Sequence, residues 1–193
     1  MYEAVAYLFT GKLESAKFFN LFLAITALLF AWNAFNQLSS KNRWINLLMA
    51  IILMFNPITI PQFFCFYIDN QIYSLTVVLL SLLVLEIRRE TRIRNAYGLI
   101  GATICMLISL KLPVIGFVLV YLCGFWIFLL VQKRFVELKR YTLIFSVIGV
   151  LALGIYGYHP FIRNIVNYGH PFYPMNKLDM LRDAQPADFK GLS

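Results

Sequence analysis

The sequence predicts an all-α polytopic membrane protein, with about six transmembrane helices and a short extracytoplasmic segment at its C-terminal end. Three observations carry that expectation. The chain of 193 residues is 61% hydrophobic and only 13% charged, whereas soluble domains run at about 45–50% apolar and about 25% charged. Its apolar residues arrive in blocks of roughly 14 to 20 with few charges, the pattern of bilayer-crossing helices. Its basic residues collect in the short gaps between blocks, where they hold loops on the cytoplasmic side during insertion. A transmembrane β-barrel would instead show alternating segments of about ten residues, and the sequence has none.

Taken in order, the expected spans are Phe18–Leu38, Trp44–Ile60, Asn70–Ile87, Ala96–Leu112, Val114–Val131 and Tyr141–Tyr158. Residues 1–158 thus form a transmembrane helical domain, and 159–193 an extracytoplasmic juxtamembrane segment. The second span meets Pro57 and Pro61, which must bend or end a helix because proline lacks the N–H and crowds the preceding turn. The chain from there through Phe66 reads as a re-entrant or interfacial stretch that brings Asp69 to the membrane surface. The run Tyr97–Val131 is too long for one crossing, since a single helix there would extend roughly 50 Å against a ~30 Å hydrocarbon core. Lys111 and Pro113 mark the turn that divides it.

That division also satisfies the charge rule. With two spans in the run, Lys41 and Arg43, then Arg88, Arg89, Arg92 and Arg94, then Lys133, Arg134, Lys139 and Arg140 all face one side. By the positive-inside rule this side is cytoplasmic, so both termini, the 61–71 loop and the 111–113 turn face outward. The expected location is a cell (inner) membrane. No basic region precedes the first apolar run, so a cleaved leader is not expected.

Several function classes are disfavoured. The net charge of +8 lies in short inter-span loops and is no sign of a nucleic-acid partner. Cys65, Cys105 and Cys123 form no Cys-x-x-Cys pair, and two of them lie within apolar spans, as small buried hydrophobes do. There is no His-Glu-x-x-His motif, glycine-rich nucleotide loop or zinc ligand set, so neither metal nor cofactor is expected. An ion-coupled transporter needs polar groups at mid-depth, whereas Asn20, Thr26, Asn33 and Ser146 are scattered without an acidic relay.

The residues with chemical potential gather on the outer side. Asp69, in FCFYIDNQ (Phe64–Gln71), is either a helix N-cap or a carboxylate at the membrane face. Lys111 is the only charge in its apolar run. It either snorkels to headgroups or binds the phosphate of a lipid-linked substrate. The strip Tyr156–Lys177 holds both histidines, His159 and His170, with Arg163 between them and abundant tyrosine and phenylalanine. Each histidine precedes a proline and is thereby biased to an extended conformation, so the strip reads as a short helical segment between turns. An interfacial aromatic belt accounts for the rings; an arginine flanked by two histidines also suits a phosphate.

The Tyr-x-Asp-Asn motif at Tyr67–Asn70, the lysine of Leu110-Lys111-Leu112-Pro113, Gly157-Tyr158-His159-Pro160-Phe161 and the run Tyr168–Pro174 together resemble bacterial membrane glycosyltransferases of the GT-C type. The resemblance implies a many-helix enzyme that moves a sugar from a polyprenyl-phosphate carrier to an acceptor outside the cytoplasm. It implies Asp69 as the catalytic carboxylate, with Lys111, His159, Arg163 and His170 as substrate-binding groups. Its partners would be the lipid-linked sugar and the bilayer. Members of that type carry a catalytic acid in a large outer loop after the first span; here only about 17 residues precede that span. A fragment or truncated member is therefore the expectation. The competing expectation is a non-catalytic membrane subunit or transporter-like component.

Overall fold

The computed structural model describes residues 17–39, 42–57, 59–63, 68–88, 96–111, 113–152, 154 and 163–168. These contain helices α1 (Lys17–Leu38), α2 (Arg43–Met54), α3 (Thr59–Phe63), α4 (Ile68–Arg88), α5 (Ala96–Leu110), α6 (Val114–Val131), α7 (Phe135–Leu151) and α8 (Arg163–Tyr168), and no strand. Helices α1, α4 and α6 are long and apolar enough to cross a membrane, and shorter apolar helices cover Arg43–Met54 and Tyr97–Leu110.

The most extensive helix–helix contact lies between α1 and α4. In α1 Asn20, Ala24, Ala27, Ala31 and Ala34 are buried, with Leu23 beside them; the five recur at alternating spacings of four and three and so form one narrow stripe. Helix α4 meets α1 at Gln71 and has the small side chains of Ser74, Val77, Val78 and Ser81 among its buried residues. Such small side chains let two backbones approach closely, and within lipid van der Waals contact has to supply most of the attraction. The other face of α1 exposes Phe18, Phe22, Ile25 and Leu29. That combination, an alanine seam with bulky apolar residues outside, suits a helix surrounded by lipid.

Hydrogen bonds between helix ends fix the directions. Gln71 Nε2 donates to Asn20 Oδ1 at 2.9 Å, joining the first turns of α1 and α4. At the opposite end Asn46 Nδ2 donates to the Ser39 carbonyl at 2.7 Å and to Asn36 Oδ1 at 2.9 Å. Helix α2 therefore runs back against α1, while α4 runs parallel to α1. Arg134 Nη1 reaches the Ile87 carbonyl at 3.3 Å, which puts the α6–α7 turn beside the last turn of α4. Arg43, Arg88 and Arg134 thus share one end of the bundle, the basic end. Asp69 and Lys111 share the other.

The second apolar block stops sooner than the expected Trp44–Ile60. Helix α2 ends at Met54, and α3 starts at Thr59 after a turn containing Asn56 and Pro57. Proline at 57 cannot donate to the Leu53 carbonyl four residues back. Tyr73 Oη of α4 donates to it instead, at 2.5 Å. Thr59 Oγ1 donates to the Met54 carbonyl at 2.7 Å, and Asn56 Oδ1 accepts from Thr59 N at 3.0 Å. The break is therefore closed by side chains of its own turn and of α4.

The remaining junctions are local. The Lys111–Pro113 turn separates α5 from α6 as expected, with Pro113 at the N-cap in a right-handed helical conformation. Between α6 and α7, Arg134 N donates to the Leu129 carbonyl and Lys133 N to the Leu130 carbonyl, both at 3.0 Å. This is the Schellman end of a helix, whose left-handed position usually carries glycine; here Lys133 holds it at φ 55°. The last long helix, Phe135–Leu151, starts six residues before the expected Tyr141, taking Glu137, Lys139 and Arg140 into its first turns, while the expected end at Tyr158 lies outside the described residues. Its approach to α5 depends on Gly101, where an added Cβ would lie 2.9 Å from Ile148 Cδ1.

Candidate functional site

Two of the residues singled out from the sequence meet. Asp69 sits in the first turn of α4, one residue inside the helix start at Ile68, rather than capping it. Lys111 follows the last residue of α5. The Lys111 ammonium donates to Asp69 Oδ1 at 2.5 Å, with the two side chains 45% and 57% exposed. A carboxylate in a first helical turn also meets the positive end of the helix dipole, so α4 and the lysine favour its charge together. The pair carries no net charge, and an incoming phosphate gains the ammonium only by competing with Asp69.

Directly behind this pair the bundle contains neutral polar groups. Asn70, Gln71 and Ser74 of α4 and Asn20 of α1 are all buried. Gln71 and Asn20 are joined by the hydrogen bond between the two helix starts. Asn70 and Ser74 are fully enclosed, yet neither amide atom of Asn70 nor the Ser74 hydroxyl has a hydrogen-bond partner among the described residues. Polar atoms in that position are uncommon in folded proteins and costly to keep. Tyr73, between them, is committed to the Leu53 carbonyl and receives Asn56 Nδ2 at 3.4 Å. The site is thus an exposed ion pair over a buried amide–hydroxyl patch.

Other expected site residues lie partly or wholly outside the described residues. Arg163 begins α8, and its backbone is helical. A short helical segment was expected here, and the turns expected at His159-Pro160 and His170-Pro171 lie outside the described residues. The side chain of Arg163 and the whole of His159 and His170 lie outside the described residues, as do residues 64–67 of the 61–71 loop. The expected wall joining that loop to the His159–Pro174 strip therefore has no described geometry. Cys105 and Cys123 are free thiols, and among the described residues no three His, Cys, Asp or Glu side chains converge.

The buried patch is what sequence reasoning missed. Asn20 looks like an isolated polar residue in an apolar span, and Gln71 and Ser74 look like ordinary first-turn residues. A signal was present: Asn70 and Ser74 are four apart and lie on one helix face, at the same depth as Asn20 near the start of its own span.

Among the described residues, cavities also lie elsewhere in the bundle. One, of about 240 Å³, sits between α5, α6 and α7 and is lined chiefly by Ile104, Ile108, Val118, Leu122 and Phe145. It is apolar apart from Ser146 and the edge of Trp126. Another, of about 540 Å³, is at the basic end. In comparisons with protein-family models, curated proteins and solved structures, nothing matches this chain. Fold and site therefore define a physical class: an all-helical protein with helices able to cross a membrane and a polar site at one end of the bundle.

Proposed function

We propose that the chain crosses a bacterial inner membrane about six times, with the Asp69–Lys111 end outward, and that it belongs with GT-C type glycosyltransferases. In this reading it serves transfer of a sugar from a polyprenyl-phosphate carrier to an extracytoplasmic acceptor. The observation that carries the reading is the contact between Asp69 and Lys111. It joins the carboxylate and the ammonium that the resemblance assigns to the two halves of the reaction. Asp69 takes the proton of the acceptor hydroxyl as its oxygen attacks the anomeric carbon. The bond to the carrier phosphate breaks, and Lys111 holds the departing phosphate. His159, Arg163 and His170 are assigned to the same phosphate by the resemblance alone.

The test is binding of a polyprenyl phosphate to the purified chain. Lys111→Met is expected to weaken it about tenfold or more, the worth of a charge-assisted hydrogen bond. Asp69→Asn is expected to leave binding intact or tighten it, because it removes the competing anion. Equal affinity of Lys111→Met and the parent would end the lipid-phosphate assignment. A second reading would then stand, favoured by the fact that each charge already has its partner: the pair clasps α4 to the α5–α6 turn in a non-catalytic membrane subunit.

Sidedness has its own test. In a background free of native cysteines, Pro113→Cys is expected to react with an impermeant thiol reagent in intact cells, and Ser39→Cys only after permeabilisation. Both positions are exposed. Labelling of both from one side would overturn the topology.

A further inference from the structure

The basic end has a cavity with no place in the proposed reaction. It opens between the ends of α1, α4 and α6, and its volume of about 540 Å³ falls within the ~300–1,000 Å³ of small-molecule sites. Its walls are of two kinds. Leu38, Val84 and Phe128 are apolar, whereas Arg88, Gln132 and Arg134 bring donors. Arg134 is held in place by Glu137, three residues on, and by the Ile87 carbonyl. A guanidinium has five N–H donors, so those two partners leave others for a ligand. Arg88 is exposed and has no carboxylate partner among the described residues.

We infer that this cavity binds the phosphate headgroup of an anionic phospholipid from the adjoining leaflet. The chemistry is matched on each wall. Arginine forks suit phosphate oxygens, Gln132 offers an amide donor, and the apolar wall takes the glycerol and the first methylenes of an acyl chain. Position agrees, because the cavity lies at the ends of the three helices long enough to cross a bilayer, at headgroup depth. Basic pockets between membrane helices are a recurrent form of lipid recognition. The inference rests on the helices crossing a membrane and not on sugar transfer.

Native mass spectrometry of the delipidated full chain, titrated with phosphatidylglycerol or phosphatidylcholine, tests it. The parent is expected to retain phosphatidylglycerol in preference to phosphatidylcholine. Arg88→Gln is expected to reduce phosphatidylglycerol retention about five-fold, the effect of one basic side chain near an anionic lipid. Gln132→Glu, which places a carboxylate in the wall, is expected to do the same without touching an arginine. Lys139→Gln, exposed on α7 and outside the cavity, serves as the control and is expected to behave as the parent. Equal retention by Arg88→Gln and the parent, or an equal loss in Lys139→Gln, would overturn the site. Displacement of the lipid by millimolar inorganic phosphate would instead assign the cavity to a soluble anion and overturn the lipid assignment.

Discussion

At the basic end of the bundle, charged groups rest on partners and an aromatic cluster surrounds a buried tyrosine; at the Asp69 end, enclosed amide and hydroxyl atoms lie beneath an exposed ion pair. Arg134 rests on Glu137 and the Ile87 carbonyl, and the Arg140 guanidinium lies 4.6 Å from the centre of the Tyr97 ring. Tyr141 is buried among Phe125, Tyr97 and Phe145, with ring centres 5.0, 5.4 and 5.6 Å away, though its hydroxyl has no hydrogen-bond partner among the described residues. At the other end Asn70 and Ser74 are likewise enclosed without partners among the described residues, beneath an ion pair that is half exposed. An apolar residue at position 70 would avoid the penalty of an unpaired amide. The contrast lies in what surrounds such atoms: ring packing offsets the unpartnered Tyr141 hydroxyl, whereas the unpartnered Asn70 amide lies under an exposed ion pair, which makes that end the better place to look for binding.

Three substitutions press on that contrast. The largest effect is expected at the basic end. Tyr141→Ala removes a ring from an aromatic cluster, and the loss of its contacts is expected to destabilise the chain by about 3–5 kcal/mol. Denaturant unfolding in detergent micelles measures this, and a loss below about 1 kcal/mol, the level of an ordinary point mutant, would deny that this end is the stable one.

Asn70→Leu is the converse experiment. It replaces a buried unpartnered amide by an apolar side chain of similar size, so it is expected to stabilise the fold by about 1–3 kcal/mol. The same variant is expected to weaken binding of the lipid phosphate if the patch supports the site. Destabilisation would show that Asn70 has a structural partner after all, and the difference between the ends would narrow.

The smallest effect belongs to the α6–α7 turn. Lys133 holds a left-handed conformation at φ 55°, which a side chain disfavours and glycine accepts. Lys133→Gly is expected to raise stability by about 0.5–1 kcal/mol, with lipid binding at the Asp69 end unchanged. Unfolding midpoints check the first part and the polyprenyl-phosphate assay the second. A fall in stability would mean that the ammonium contributes more to the basic end than its backbone strain takes away.

Most helix boundaries were legible because they are set locally. Pro113 beside Lys111 divides α5 from α6, and Asn42 caps α2 by accepting from Trp44 N at 2.9 Å. Where the expectation slipped, the reason was tertiary. The second block ends at Met54 because its freed carbonyls find Thr59 in the turn and Tyr73 on another helix. The last long helix starts at Phe135 because Glu137 pairs with Arg134, and Arg140 lies over the Tyr97 ring. Hydropathy scores those charged residues as a loop.

The sequence by itself determined that this chain is a set of apolar helices, and where most of them break. Those properties follow from hydropathy, charge and proline within a few residues of each point. It also singled out Asp69 and Lys111, as ionisable groups at the margins of apolar runs. Only the tertiary structure decided that the two meet, since they stand 42 positions apart, and that Asn20 faces Gln71 across 51. Those meetings depend on how α1, with its alanine stripe, packs against α4. That register comes from the summed packing of both helices, which no stretch of either one contains.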